Sequence, residues 1–111
     1  MLFRSVITEV KFECDDEEVF NLVSGFIKSN LMVKNTTDTD LPFTIVMTLY
    51  EKESGILKDL VTANKIITAE NTENITIGLL VPDNAQNYYI RIMLWDEIEA
   101  MNLLSSSLIF Q

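Results

Sequence analysis

Histidine is absent from this chain, and cysteine occurs once, at Cys14. Without an imidazole, neither a Ser-His-Asp triad nor a Cys-His pair can be assembled, and a metal site would have to be built from oxygen ligands. A single thiol closes no intrachain disulfide and supplies no thiolate cage for zinc. Cys14 therefore reads as a small buried apolar residue, with intermolecular pairing as the alternative. Basic residues are also scarce, 8 against 17 acidic ones, for a formal net charge of -9. Such a surface repels nucleic-acid phosphates and anionic membranes while favouring solubility at high local concentration. Long apolar runs are missing as well. The longest stop after a few residues, far short of the roughly 20 needed to span a bilayer as a helix. The start, Met1-Leu2-Phe3-Arg4-Ser5, enters an alternating segment rather than an extended apolar stretch, so no signal peptide is expected.

What is present suits one folded unit. A chain of 111 residues with 48% hydrophobic and 23% charged side chains has globular composition, and a chain of this size can bury roughly 65% of its unfolded surface. The expected organisation is a single domain over 1–111, with residues 1–20 forming an added N-terminal strand and turn.

Hydrophobic period decides the fold class, and alternation at every second residue dominates. Val6, Val10 and Phe12 alternate with Ile7, Glu9 and Lys11, up to the acidic run Asp15-Asp16-Glu17-Glu18, which reads as a solvated turn. Residues 19–34 hold a second extended stretch with Ile27, Leu31 and Val33 on one parity. It ends at the short polar run 35–40, whose side chains favour turns. After Pro42, Phe43, Ile45, Met47 and Leu49 share one face, and Thr44, Val46, Thr48 and Tyr50 the other. Glu53-Ser54-Gly55 marks a reversal, and residues 56–68 read as one or two shorter strands. A turn at 70–74 precedes the alternation of Ile75, Ile77 and Leu79; Val81-Pro82-Asp83-Asn84 turns again before the strongest strand, Tyr88 to Trp95. From Asp96 to Asn102 the alternation breaks. An acceptable N-cap followed by acids predicts a turn or two of helix there, before a last strand over 107–110. The expectation is an all-β, antiparallel immunoglobulin-like β-sandwich of about seven strands with one short helix before the last strand.

The segment Tyr89-Ile90-Arg91-Ile92-Met93-Leu94-Trp95-Asp96, followed by Ile98, Met101 and Leu104, resembles the closing strand and short helix of a bacterial family. These are the immunoglobulin-like or fibronectin-type-III-like modules of clostridial-type secreted and cell-surface proteins. Val33-Lys34-Asn35-Thr36-Thr37 and Thr48-Leu49-Tyr50-Glu51 resemble earlier strands of the same template, so the likeness covers about residues 24–111. Leu103 stands where the family usually has proline. The resemblance implies the fold, and with it spacer, adhesion or ligand-binding roles.

Candidate sites are few. Asp96, Glu97 and Glu99 lie close enough to suggest paired-carboxylate catalysis, but a small sandwich offers no deep cleft to raise one carboxyl's pKa, and a solvated helix start explains them. Asp15 to Glu18, or Asp38 with Asp40, cluster oxygen ligands without the alternating spacing and central glycine of a calcium loop. No catalytic residue, metal or cofactor is therefore expected. Asn35-Thr36-Thr37 and Asn74-Ile75-Thr76 match the glycosylation acceptor pattern, which is common by chance.

Parity on the two best strands is more informative. If Ile90, Ile92 and Leu94 face the core, then Tyr89, Arg91, Met93 and Trp95 face outward, and Val46, Thr48 and Tyr50 do likewise on the earlier strand. In this topology the two strands are neighbours, so these seven residues form one outward patch suited to protein contact or sugar stacking. Alternatively, the turn after Asp96 folds back and Ile98 and Met101 cover Trp95. Residues 3–14 could also pair with a neighbouring molecule's sheet edge, against the alternative of pairing within their own sandwich.

These observations lead to a non-catalytic structural or adhesion module that works by protein-protein contact, self-association included. It would act in a surface assembly or a virion, outside the cell or on its surface, without nucleic acid and without membrane insertion. The rivals are a carbohydrate-binding module using the aromatic face and a phage capsid or tail decoration protein.

Overall fold

The computed structural model describes residues 5–96, 102–103 and 108–111, with the backbone alone at 5, 6, 95, 96, 102 and 103. Strands β1 (Ser5–Cys14), β2 (Glu17–Val19), β3 (Gly25–Asn35) and β6 (Thr72–Val81) form one sheet in the order β2-β1-β3-β6, here called sheet A. Strands β4 (Leu41–Glu51), β5 (Leu57–Ile67), β7 (Tyr88–Asp96), β8 (Asn102–Leu103) and β9 (Leu108–Phe110) form sheet B in the order β5-β4-β7-β8, with β9 also on β7. Every pairing is antiparallel. The all-β immunoglobulin-like sandwich expected from the alternation is what the chain forms.

One cluster of buried side chains lies between the sheets. Ile27, Leu31, Val33, Ile75, Ile77 and Leu79 come from sheet A; Phe43, Ile45, Met47, Leu49, Ile90, Ile92 and Leu94 from sheet B. Each fully buried side chain of this kind contributes about 1.5–3 kcal/mol relative to exposure. Phe12 of β1 stacks on Phe110 of β9 with ring centroids 3.8 Å apart, so the first and last strands tie the two sheets together. Ser29 lies in the same layer with no exposure, and its hydroxyl has no hydrogen-bond partner among the described residues.

Several expectations are corrected. Ile7 does not alternate outward with Glu9 and Lys11. The register of β1 on β3 shifts between Ile7 and Glu9, and this bulge brings Ile7 against the core alongside Val10. One extra residue inverts parity locally, which period counting cannot detect. The acidic run is a turn only at its start. Asp15 (φ 53) and Asp16 (φ 65) form a two-residue loop between Cys14 and Glu17, and Glu17–Val19 return as β2. Both loop residues have positive φ, the signature of a hairpin turn whose twist matches its strands, and aspartate tolerates that conformation. Residues 57–67, expected as one or two shorter strands, form one strand of 11 residues. The helix expected after Asp96 falls largely on 97–101, outside the described residues; extended backbone continues through Asp96 itself. A short 3-10 turn at Ala85–Asn87 precedes β7.

Asn35 has a larger role than turn residue. Its side chain is fully buried. Nδ2 donates to the carbonyls of Thr39 (2.8 Å) and Ile67 (2.9 Å), while Oδ1 accepts from the Thr37 N–H (2.9 Å) and Thr37 Oγ1 (2.7 Å). One amide thus joins the end of a sheet-A strand to the end of β5 in sheet B. Its glycosylation would require that network to be abandoned.

Candidate interaction face

Register brings the seven residues singled out by parity onto two adjacent strands. Val46 lies opposite Met93, Thr48 opposite Arg91, Tyr50 opposite Tyr89, and Trp95 opposite Thr44. Val46 and Met93 are absent from the inter-sheet core cluster although their chain neighbours belong to it, which places them on the outer face of sheet B.

Access to that face differs from the expectation. Val46 (7%), Thr48 (2%) and Met93 (8%) are buried, so the middle of the patch is not open to a partner. Strict alternation sends a side chain out of a sheet without making it accessible. On a central strand both flanks are occupied, and long neighbours in register fill the space above short ones. Here Leu60 lies opposite Thr48 on one side and Arg91 on the other, and Leu57, Tyr50 and Tyr89 line up next along. Thr48 Oγ1 donates to the Arg91 carbonyl at 3.0 Å, so its hydroxyl is satisfied within the sheet.

Tyr50, Tyr89 and Arg91 remain partly exposed. The two tyrosine rings stack at 5.3 Å with an interplanar angle of 19°. Arg91 Nε is buried and has no hydrogen-bond partner among the described residues. The Trp95 side chain, and the fold-back of Ile98 and Met101 over it, lie outside the described residues, as do Glu97 and Glu99.

Parity missed the most exposed apolar residues of this face. Leu57 (45%) and Leu60 (48%) on β5, Ile66 (65%) on the same strand and Ile109 (56%) on β9 are exposed large apolar side chains. Register puts them on the same outer face, opposite Tyr50, Thr48, Pro42 and Arg91 respectively. The sequence signal for β5 was weak because Lys58, Asp59, Thr62, Asn64 and Lys65 interrupt its apolar residues.

Two depressions lined by described residues are small. A depression of about 200 Å3 is lined by Glu51, Lys52, Glu53, Gln86, Asn87 and Tyr88, and one of about 190 Å3 by Glu9, Lys11, Asn30, Met32 and Asn74. Small-molecule sites generally occupy about 300–1,000 Å3. The acidic runs named as calcium candidates have other uses: Asp15 and Asp16 make the β1–β2 turn, and Asp40 Oδ1 accepts the Ala69 N–H at 3.1 Å. Among the described residues no three Asp, Glu, Cys or His side chains cluster as metal ligands. Residues 5–14 pair along β3 of their own chain.

No protein-family model matches the chain, and no curated protein matches its sequence. Solved structures do. The C-terminal domain of wzt superposes with a TM-score of 0.74 at 11% identity, over 98% of this chain and 73% of that one. The beta-glucuronidase of Bacteroides uniformis gives 0.72 at 14% identity, over 96% of this chain. A GH2 beta-galacturonidase from Eisenbergiella tayi gives 0.56 at 11% identity, over 97%. This chain spans 14% of the length of the glucuronidase and 18% of that of the galacturonidase. At these identities the likeness is one of fold: the chain is an all-β sandwich of the size of one small unit within much larger proteins.

Proposed function

We propose that this chain is a non-catalytic contact module whose outer face on sheet B packs against another protein surface. The observation that carries this reading is the belt of exposed Leu57, Leu60, Ile66 and Ile109 around a centre that is already buried. Apolar side chains gathered on one sheet face favour association, since covering them removes apolar area from water. Tyr50, Tyr89 and Arg91, residue types enriched where proteins meet, lie on the same face. Histidine is absent, and the glycosidases of similar fold contain this unit as a minor fraction of their length; both support a role without chemistry.

The resemblance to clostridial-type surface modules supports an extracellular or cell-surface setting, and a virion is the alternative, with the chain as a capsid or tail decoration. The acidic net charge suits either crowded surface. Carbohydrate binding is the second reading, prompted by sugar-acting proteins among the similar folds. It is disfavoured by the Tyr50–Tyr89 stack, in which each ring covers a face that a sugar would need.

Covalent surface labelling, comparing the dilute purified protein with the protein in the cell or particle that makes it, tests the proposal. Protection at Tyr50, Leu60, Ile66, Tyr89 and Ile109 is the expected result. Unchanged labelling there, with protection of Lys11 and Lys28 on sheet A instead, would overturn it. Retention of a glycan by the monomer, lost in Tyr89→Ala, would favour the second reading.

A further inference from the structure

The partner for the exposed side of sheet B has a specific chemistry written into β5. Among the described residues this strand pairs only with β4, in regular register from Asp59 to Ile67 and with a shift between Asp59 and Leu57, so the backbone N–H and C=O groups facing away from β4 line an open edge. We infer that a second copy of this chain occupies that edge, its β5 running antiparallel to the first about a two-fold axis at Thr62. The inference rests on the contact-module reading and names the occupant.

Charge selects both the edge and the register. The whole chain carries a formal net charge of -9, which opposes self-association nearly everywhere. β5, however, holds Lys58, Asp59 and Lys65 and is net basic, whereas the other long edge strand, β6, has Glu73 as its lone charged residue. Two copies therefore repel least through β5.

In an antiparallel self-pair centred on residue 62, position 59 faces position 65 of the other copy, and the reverse also holds. Asp59 and Lys65 then make two opposite-charge cross-strand pairs on one face. Both lie on the parity that faces Leu49 and Phe43 across β4, yet both are exposed at the rim. On the opposite face, position 60 faces 64 and has 66 as its diagonal neighbour, within reach of long side chains. Leu60 of each copy thus meets Ile66 of the other, and two of the most exposed apolar residues of sheet B are covered. A centre at Val61 instead puts Asp59 against Ala63 and carries Lys65 past the register shift at Lys58, and one at Ala63 puts Asp59 against the buried Ile67. Only the register at Thr62 pairs charge with charge while bringing the apolar residues together.

One local contact must yield. The Leu60 N–H is held by the Asp59 carboxylate at 2.8 Å, and the incoming strand would take over that amide or leave it capped at the end of the ladder.

The test uses the intact chain. Thr62→Cys places two thiols directly opposite one another across the axis, with Cα atoms about 4.5–5.5 Å apart, and mild oxidation should convert it to a covalent dimer. Wild type, whose one thiol at Cys14 is buried, is the blank. Lys58→Cys is the control, since each copy's residue 58 lies opposite residue 66, about 26 Å along the strand from its counterpart. Sedimentation should show a concentration-dependent dimer, with Asp59→Lys weakening it about tenfold or more and Asp59→Lys combined with Lys65→Asp restoring it. Circular dichroism checks that each variant keeps its strand spectrum. A wild type monomeric up to about 200 µM together with no Thr62→Cys cross-link would overturn the inference, as would equal cross-linking by Lys58→Cys or a double swap that fails to restore the dimer. If those results came with protection of the sheet-B face in the native material, the contact module would stand and only the second copy would be excluded.

Discussion

Sheets A and B share one core, yet their outer faces follow different chemistry. On sheet A, Glu9, Lys11, Glu13, Lys28, Asn30 and Thr76 alternate with the core residues, and they bond among themselves. Asn30 Nδ2 donates to Glu13 Oε1 at 2.6 Å, Thr76 Oγ1 donates to Asn30 Oδ1 at 2.7 Å, and Lys11 lies 3.9 Å from Glu9. Gly78 lets the Phe26 ring lie flat on the sheet, since a Cβ there would sit 2.8 Å from that ring and from the Ile27 carbonyl. On sheet B the equivalent positions hold Val46, Thr48, Met93, Leu60 and Ile66. The first three are buried without joining the core and the last two are exposed. On sheet A the exposed apolar side chains, Phe26 (53%) and Leu80 (63%), sit opposite one another at one end while the middle carries the polar pairs; on sheet B they run along the face around a buried centre and leave area to cover. The difference between two faces of one sandwich is therefore better evidence of function than the fold, which unrelated proteins share.

The sharpest way to break this comparison uses one methionine from the outer side of a central strand in each sheet. Met93 is buried on sheet B, whereas Met32 on sheet A is only partly so and lines a shallow depression with Glu9, Lys11, Asn30 and Asn74. Met93→Asp should cost about 3 kcal/mol or more, because a charged carboxylate would replace a buried apolar side chain; Met32→Asp should cost about 1 kcal/mol or less. Urea unfolding of both variants checks this, and equal losses would mean that the two outer faces do not differ. Thr48→Val comes next. It keeps the shape of the side chain but removes the bond to the Arg91 carbonyl, and should lower stability by about 1 kcal/mol, whereas removal of the exposed Thr76 hydroxyl by the same substitution should be smaller on the same assay. Smallest in stability is Leu60→Asp, expected within about 0.5 kcal/mol of wild type because the side chain is already half in water. Its effect should appear instead as lost association in light scattering, with thermal midpoint unchanged.

Legibility followed contact order. The alternations of Phe43 to Leu49, Ile75 to Leu79 and Ile90 to Leu94 are local, and each marked its core side correctly. The inversion at Ile7 escaped because a bulge is a relation between β1 and β3 and has no local period. Whether β5 was one strand or two stayed open because an edge strand is solvated along much of its length, so polar residues occupy positions that a central strand would fill with apolar ones. Asn35 read as a turn former because its partners at Ile67 and Thr68 are over thirty residues away.

By itself, the sequence determined the class of the fold, the identity of the core residues on the central strands and the exclusion of imidazole and disulfide chemistry, since composition and period two are properties of the chain before it folds. Tertiary structure alone decided which outward side chains meet solvent. Exposure depends on what stands in the next strand, and the register that puts Leu60 beside Thr48 or leaves β5 without a second neighbour among the described residues exists only once the sheets are assembled.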